Sequence, residues 1–113
     1  MKEFFVVPTD LDVLLGRGGQ TNNHPGNRRY REEVLKVKPM YHDCTTKLEK
    51  FDVSKLLMEY VHHYGGRFLS KDDSTGHWCI ACPKKARQKC SQALREEKWG
   101  SNSFEEAVMV DYN

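Results

Sequence analysis

Residues 12–31 read D-V-L-L-G-R-G-G-Q-T-N-N-H-P-G-N-R-R-Y-R, and the rest of the chain is organised around them. A short apolar run at 13–15 leads into a glycine cluster at 16–19, and a polar turn follows. Because glycine has no side chain, its backbone N–H groups can line a concave surface that attracts anions. Asn27 is a favoured capping residue for a helix that follows the turn. The stretch therefore predicts an extended segment, an anion-binding loop and a helix.

Basic residues are concentrated in two parts of the chain. Residues 13–31 hold four Arg and no acid, and residues 74–95 hold five Lys or Arg and no acid. The net charge is only +2, so the segregation of charge says more than its total. Two such segments make one basic face if they lie side by side, and two separate solvated faces if they do not.

Length and composition predict one small globular domain of 113 residues. No apolar run approaches the roughly 20 residues that cross a bilayer, and the apolar run near the N-terminus is too short for a signal peptide. The four Cys are irregularly spaced, which argues against a secreted disulfide scaffold. We expect a nuclear or cytoplasmic protein with no membrane partner.

Hydrophobic periodicity predicts three helices, of which the first runs from about residue 28 to 38. Pro39 closes it, because the residue before a proline disfavours helical geometry. The second helix ends at Tyr64, before a pair of glycines that favours a helix C-terminus. It begins either at Asp52 or near Lys47 after a capping threonine.

A hairpin of two strands, residues 67–70 and 77–80, is predicted between the second and third helices. The third helix begins at Pro83, which suits a first turn, and runs to about residue 97. With the short N-terminal extended segment, this order predicts a small single α+β domain, weakly similar to winged-helix DNA-binding modules. We expect a tail or edge strand at 1–10, the globular domain at 11–99 and a tail at 100–113.

The run L-G-R-G-G-Q-T-N-N-H-P-G-N resembles the signature of a domain family of unknown function that is common in diatoms and related stramenopile algae. The resemblance continues through G-G-R-F-L at 65–69, Gly76, Trp78, and K-K-A-R-Q-K-C-S-Q-A-L-R at 84–95. It covers about residues 11–97 and implies family membership without implying an activity. The family is apolar and acidic where this chain has C-I-A-C at 79–82, so the resemblance implies no family-wide metal site.

The glycine loop, the start of the first helix and the third helix supply the candidate binding residues. Arg17, between glycines, suits bidentate contact with a phosphate or a guanine edge. The alternative is a purely structural loop whose asparagines bind local backbone. The candidates for nucleic-acid or anion binding are Arg17, Gly18, Gly19, Thr21, Asn22, Asn23, His24, Asn27, Arg28, Arg29, Arg31, Lys84, Lys85, Arg87 and Lys89.

Catalytic and metal motifs are weak in this sequence. The glycine cluster matches neither G-x-G-x-x-G nor a Walker A loop, and spacing ties neither a nucleophile nor a carboxylate to His24 as a general base. Cys79 and Cys82 form a C-x-x-C pair without a second pair at zinc-ligand spacing. We expect no catalytic residue, no cofactor and no metal, with zinc at Cys79 and Cys82 as the lesser alternative.

These features predict a non-enzymatic regulatory module that binds nucleic acid, with duplex DNA as the first expectation. Arg17, the glycine backbone and the start of the first helix would grip phosphate, and residues 21–24 would read base edges. One alternative is a protein-interaction module for an acidic or phosphorylated partner. Another is a small enzyme acting on a phosphorylated metabolite, which requires a deep pocket lined by His24 and Arg17.

Overall fold

Three long helices and a mixed sheet of four short strands make up the fold, which confirms the α+β class. The computed structural model describes residues 5–16 and 19–96. The strands are β1 (Phe5–Val6), β2 (Val13–Leu14), β3 (Phe68–Lys71) and β4 (Trp78–Ile80). The helices are α1 (Gly19–Asn22), α2 (Pro25–His42), α3 (Lys47–His63) and α4 (Pro83–Arg95).

The sheet has the strand order β1-β4-β3-β2. The predicted hairpin is confirmed as the antiparallel pair of β3 and β4, with Ser70 opposite Cys79. β1 pairs antiparallel with β4, and β2 pairs parallel with β3, with Val13 opposite Phe68. The sequence did not predict these two outer pairings, because an apolar run shows that a strand is buried and not which strand lies beside it.

The start of the first long helix differs from the prediction. α2 begins at Pro25, and its N-cap residue is His24, whose backbone is extended. The prediction of Asn27 as the cap is wrong, because this residue already lies inside the first turn. Proline suits the first helical position, because a backbone N–H there would have no partner within the helix and proline has no N–H.

The predicted end of this helix is also wrong, because Pro39 lies inside α2. A proline removes one helical hydrogen bond, but the N–H of Asp43 still donates to the Pro39 carbonyl at 3.1 Å. Tyr41 in the last turn is buried in the core. We infer that this burial offsets the hydrogen bond that the proline loses.

α3 begins after Thr46, which confirms the earlier of the two predicted starts. The N–H of Glu49 donates to the Thr46 hydroxyl at 3.1 Å, and the Glu49 carboxylate accepts from the N–H of Thr46 at 3.2 Å. This reciprocal pair is a capping box. At the other end Tyr64 is the C-cap residue, and Gly65 follows with a φ of 97°, which favours glycine.

One hydrophobic core joins the helices to the sheet. The predicted apolar stripe of α4 is confirmed, since Ala86, Cys90, Ala93 and Leu94 are all buried. They pack in one cluster with side chains from α2, α3 and the sheet, including Tyr30, Val34, Leu57, Val61 and Phe68. The core therefore holds α2 beside α4, which positions the two basic segments of the sequence.

The predicted tail at residues 100–113 lies outside the residues that the structure describes. Within the described residues, none of the helices combines the length and the apolar character needed to cross a bilayer.

Candidate anion-binding site

Gly16 lies in the loop that follows β2. Its φ of 130° is rarely adopted by residues other than glycine. Gly19 is the first residue of the one-turn helix α1. Arg17 and Gly18 lie outside the described residues, so their roles stay predictions from the sequence.

Asn27 connects the start of α2 to the edge of the sheet. Its side-chain oxygen accepts from the N–H of Leu14 at 2.8 Å, and its amide nitrogen donates to the Leu14 carbonyl at 2.9 Å. These two bonds replace a neighbouring strand at the free edge of β2. The amide of Asn27 is thus used inside the protein, and its role is to hold the loop in place.

The start of α2 is packed against the chain's own backbone. A Cβ at Gly26 would overlap the Asp12 carbonyl oxygen and lie 2.8 Å from the Asp12 nitrogen. The N–H of Asn27 donates to the His24 carbonyl at 2.9 Å. The sequence predicted that this helix start contacts phosphate. Because protein backbone packs against its first turn, side chains are the better candidates for contact with an anion.

A cleft of about 440 Å³, which we call the Arg31 cleft, lies between the glycine loop, α2 and α4. The Arg31 guanidinium enters it from α2 and donates to the Asn22 carbonyl at 2.8 Å. Lys89 enters from α4. Tyr30 forms a wall of the cleft, and the other lining residues are Gly16, Asn22, Asn27, Gln92, Ala93 and Glu96.

The two cations of the Arg31 cleft are partly withdrawn from water. Burial lowers the pKa of Arg31, and the nearby charge of Arg28 lowers it further. Burial also lowers the pKa of Lys89; Glu96 opposes this shift, whereas Arg31 adds to it. Two like charges are thus held together in a partly dry space, and an anion between them would relieve their repulsion.

A second cleft of about 440 Å³, the Lys85 cleft, shares Gly16 with the Arg31 cleft. Lys85 from α4 and Lys71 from the end of β3 line it, together with Trp78. Its remaining lining residues are Leu15, Gly16, Thr21, Ser70 and Asp73. Gly16 therefore lies at the boundary of both clefts, with cations on each side.

The two clefts bring together only some of the predicted binding residues. Asn22, Asn27, Arg31 and Lys89 line the Arg31 cleft, and Thr21 and Lys85 line the Lys85 cleft. Gly19, Asn23, Arg28 and Lys84 are exposed and line neither cleft.

Two predicted arginines instead stack on aromatic rings. The Arg29 guanidinium lies 3.7 Å from the centre of the Tyr64 ring, and Arg87 lies 4.5 Å from the centre of the Phe51 ring. Such contacts attach a cation to an aromatic surface through the ring quadrupole. Both arginines therefore serve packing between helices in this structure.

His24 and the cysteine pair, Cys79 and Cys82, lie outside both clefts. A ring nitrogen of His24 lies 2.8 Å from the carbonyl oxygen of Thr9, 15 positions earlier in the chain. Cys79 lies in β4 and Cys82 caps α4. Within the described residues no group of three or more His, Cys, Asp or Glu side chains could hold a metal ion.

Lys71 was missed by sequence reasoning. It follows Ser70 at the end of β3, and the N–H of Leu15 donates to the Leu69 carbonyl at 2.8 Å. The parallel pairing of β2 with β3 therefore brings Lys71 to the glycine loop. The preference of parallel strands for continuous apolar runs is the pattern that could have indicated this pairing.

Comparison with protein families identifies the chain. The model of a domain of unknown function, DUF6824, matches residues 12–96. The chain belongs to this family. The matched part of the DUF6824 domain begins at Asp12, just before β2, and ends at Glu96, just after α4, so it includes both clefts. No significant match was found among curated proteins or among solved structures.

Proposed function

We propose that this DUF6824 domain is a non-enzymatic nucleic-acid-binding module that acts on duplex DNA in a regulatory role in the nucleus. The observation that supports the proposal is the position of Gly16 between two clefts that each contain two cations. Arg31 and Lys89 lie on one side, and Lys71 and Lys85 lie on the other. A charged polymer that crosses the glycine loop would meet positive charge on both sides.

The charge pattern suits a phosphate backbone. Glu33 on α2 pairs with Arg29 and Lys36, and Asp12 pairs with Arg67, and none of these three cations lines a cleft. Lysine and arginine that contact phosphate release condensed counterions, which supplies much of the affinity for DNA. The acids Asp73 and Glu96 lie at the clefts and limit this field.

Sequence specificity would come from the exposed amides near the loop. Asn22 and Asn23 are exposed beside the clefts, and side-chain amides can pair with the edge of adenine. We also propose that the G-R-G-G-Q-T-N-N-H-P-G-N run is a signature of the family, with Arg17 as a phosphate ligand. Arg28 and Lys84 would extend the phosphate contacts from exposed positions.

The test is binding of labelled random duplex DNA at two salt concentrations. We expect affinity to fall with salt, and Lys85→Gln and Lys89→Gln each to reduce the logarithmic salt slope by about 0.9. The matched control is Lys55→Gln, because Lys55 is exposed on α3 and lines neither cleft. Arg17→Glu tests the loop itself and should remove binding.

Two results would contradict the proposal. One is the absence of DNA binding at low salt. The other is unchanged binding by both lysine variants and by Arg17→Glu. In either case the Arg31 cleft is to be tested against phosphorylated peptides, because Arg31 and Lys89 can hold a phosphate on a peptide equally well.

A further inference from the structure

The Arg31 cleft is concave, and its shape differs from that of a surface that follows a duplex. It is about 440 Å³ in volume, within the range of about 300–1,000 Å³ typical of small-ligand pockets. An intact duplex presents its phosphates on a convex surface and keeps its bases inside the stack. A nucleotide that has left the stack can place both its phosphate and its base in such a space.

We propose that the Arg31 cleft receives a single unstacked nucleotide, so that the domain prefers DNA containing an unpaired nucleotide over an intact duplex. This inference rests on the proposed function. It adds to the phosphate contacts of Arg31 and Lys89 a place in the same cleft for one base.

The phosphate would lie between Arg31 and Lys89. Arg31 is held in position by its hydrogen bond to the Asn22 carbonyl, which leaves other guanidinium N–H groups to donate. Lys89 faces it from α4, and its side chain lies 5.9 Å from the centre of the Tyr30 ring. A planar guanidinium and a point charge that converge on one space suit the tetrahedral oxygens of a phosphate.

The base would lie toward the end of α4. Gln92 donates to the Glu96 carboxylate at 3.3 Å, so an amide and an acid stand together at this end of the cleft. An amide and a carboxylate offer both donors and acceptors, as the edge of a base requires. Ala93 and Gly16 are small and leave room for a ring.

A phosphopeptide fits the site less well. It would use the two cations, but it has no general need for the paired amide and carboxylate of Gln92 and Glu96. The observations therefore favour a nucleotide, which uses both ends of the cleft.

The experiment compares two labelled DNAs of the same sequence, an intact duplex and a duplex with a one-nucleotide bulge. We expect the bulged DNA to bind about tenfold more tightly, because its extra nucleotide leaves the stack at little cost. Lys89→Gln and Gln92→Ala should each remove most of this preference. Lys89 is preferred to Arg31 as the variant, because Arg31 also holds the Asn22 carbonyl.

The matched control is Lys85→Gln, which lies on the same helix but lines the other cleft. It should weaken binding to both DNAs equally and leave their ratio unchanged. Thermal unfolding of each variant verifies that it folds.

The other possible outcomes of this experiment distinguish failure of this inference from failure of the proposed function. Equal affinity of the native protein for bulged and intact DNA overturns the inference and leaves the proposed function standing. A preference that survives in both Lys89→Gln and Gln92→Ala overturns it as well. Binding to neither DNA contradicts the proposed function and this inference together, and tighter binding of a phosphoserine peptide than of bulged DNA assigns the cleft to a protein partner.

Discussion

Asp12 and Arg67 are joined by three hydrogen bonds, although 55 positions separate them in the sequence. The Arg67 backbone N–H and Nε donate to one carboxylate oxygen at 3.0 and 3.1 Å, and Nη2 donates to the other at 2.7 Å. The N–H of Thr9 adds a bond of 2.7 Å. Asp12 is fully buried at the start of β2, so this pair fixes the approach to the glycine loop against the start of β3.

Removing the cation should destabilise the domain. We expect Arg67→Ala to lower the free energy of unfolding by about 2–4 kcal/mol, because it leaves a buried carboxylate without its charged partner. Urea denaturation measures the change. Arg95→Ala is the control: Arg95 is exposed and binds only the Ser91 hydroxyl among the contacts described for it, so its loss should change stability by less than about 0.5 kcal/mol.

Asp12 should also contribute to the pH dependence of stability. Burial raises the pKa of Asp12, but the hydrogen bonds and charge of Arg67 and the bond from Thr9 outweigh it, so the pKa is lowered from its ordinary value of 3.8. A lowered pKa stabilises the folded state above 3.8, and this contribution disappears as pH falls through the folded value. As pH falls from 3.8 through the folded pKa of Asp12, we expect the urea midpoints of Asp12→Asn to vary less than those of the native protein.

Some acid dependence should remain in Asp12→Asn. The backbone hydrogen bonds from Thr45 and Thr46 lower the pKa of Glu49, and the hydroxyl of Thr75 lowers that of Asp72. Identical profiles for the native protein and the variant between pH 2 and pH 4 would show that Asp12 has no altered pKa.

The bridge between Asn27 and Leu14 should be among the most sensitive contacts of the domain. We expect Asn27→Ala to cost about 2–4 kcal/mol of unfolding free energy, because both backbone groups of Leu14 lose their partner. Asn27→Asp keeps an acceptor for the Leu14 N–H but turns a second oxygen toward its carbonyl, so it too should destabilise at neutral pH. Asn23→Ala is the control, since Asn23 is exposed; an equal cost at both positions would refute the bridge.

Gly26 should not tolerate a methyl group. A Cβ there would overlap the Asp12 carbonyl, and backbone atoms cannot move aside as a flexible side chain can. We expect Gly26→Ala to lower the free energy of unfolding by at least about 3 kcal/mol. Gly19→Ala is the matched control in α1, where the nearest atom to the new Cβ is 3.9 Å away. A variant Gly26→Ala as stable as Gly19→Ala would contradict the close approach of α2 to Asp12.

The cysteines should differ strongly in reactivity. Burial raises the pKa of Cys90 to about 12, so almost no thiolate forms in the folded protein. Cys82 is exposed at the start of α4. In native protein treated with iodoacetamide at pH 8, we expect mass spectrometry to show Cys90 modified at least about a hundredfold more slowly than Cys82. Cys82→Ser should remove the faster modification, and equal rates for the two thiols would show that the core around Cys90 is open.

Sequence patterns predicted those parts of the fold that depend on neighbouring residues. The glycines after Tyr64 and the capping threonine set the two ends of α3, and the stripe of Ala86, Cys90 and Leu94 set the buried face of α4. Each depends on contacts within a turn or two of helix, which the order of residues expresses directly. The helix end predicted at Pro39 was wrong, because burial of the neighbouring Val37 and Tyr41 outweighed the local preference of proline to end a helix.

The sequence indicated which basic residues belong to the candidate site, but it did not indicate the shape of the site. Clusters of basic residues identified Arg31, Lys85 and Lys89, but they gave no reason to separate these from Arg29 and Arg87, which stack on aromatic rings. That separation depends on which helix face packs against which neighbour. A single sequence records the charges and not the packing.

The sequence alone thus determined the α+β class, most of the helix and strand positions, and a loop of glycine and basic residues near a second basic helix. The tertiary structure alone decided that β2 pairs with β3, that the Asn27 amide bonds to the backbone of β2, and that Gly16 lines both clefts. The physical reason is the distance along the chain. Local elements form from contacts within a few residues, whereas the clefts form when segments such as Arg31 and Lys89 meet across the core.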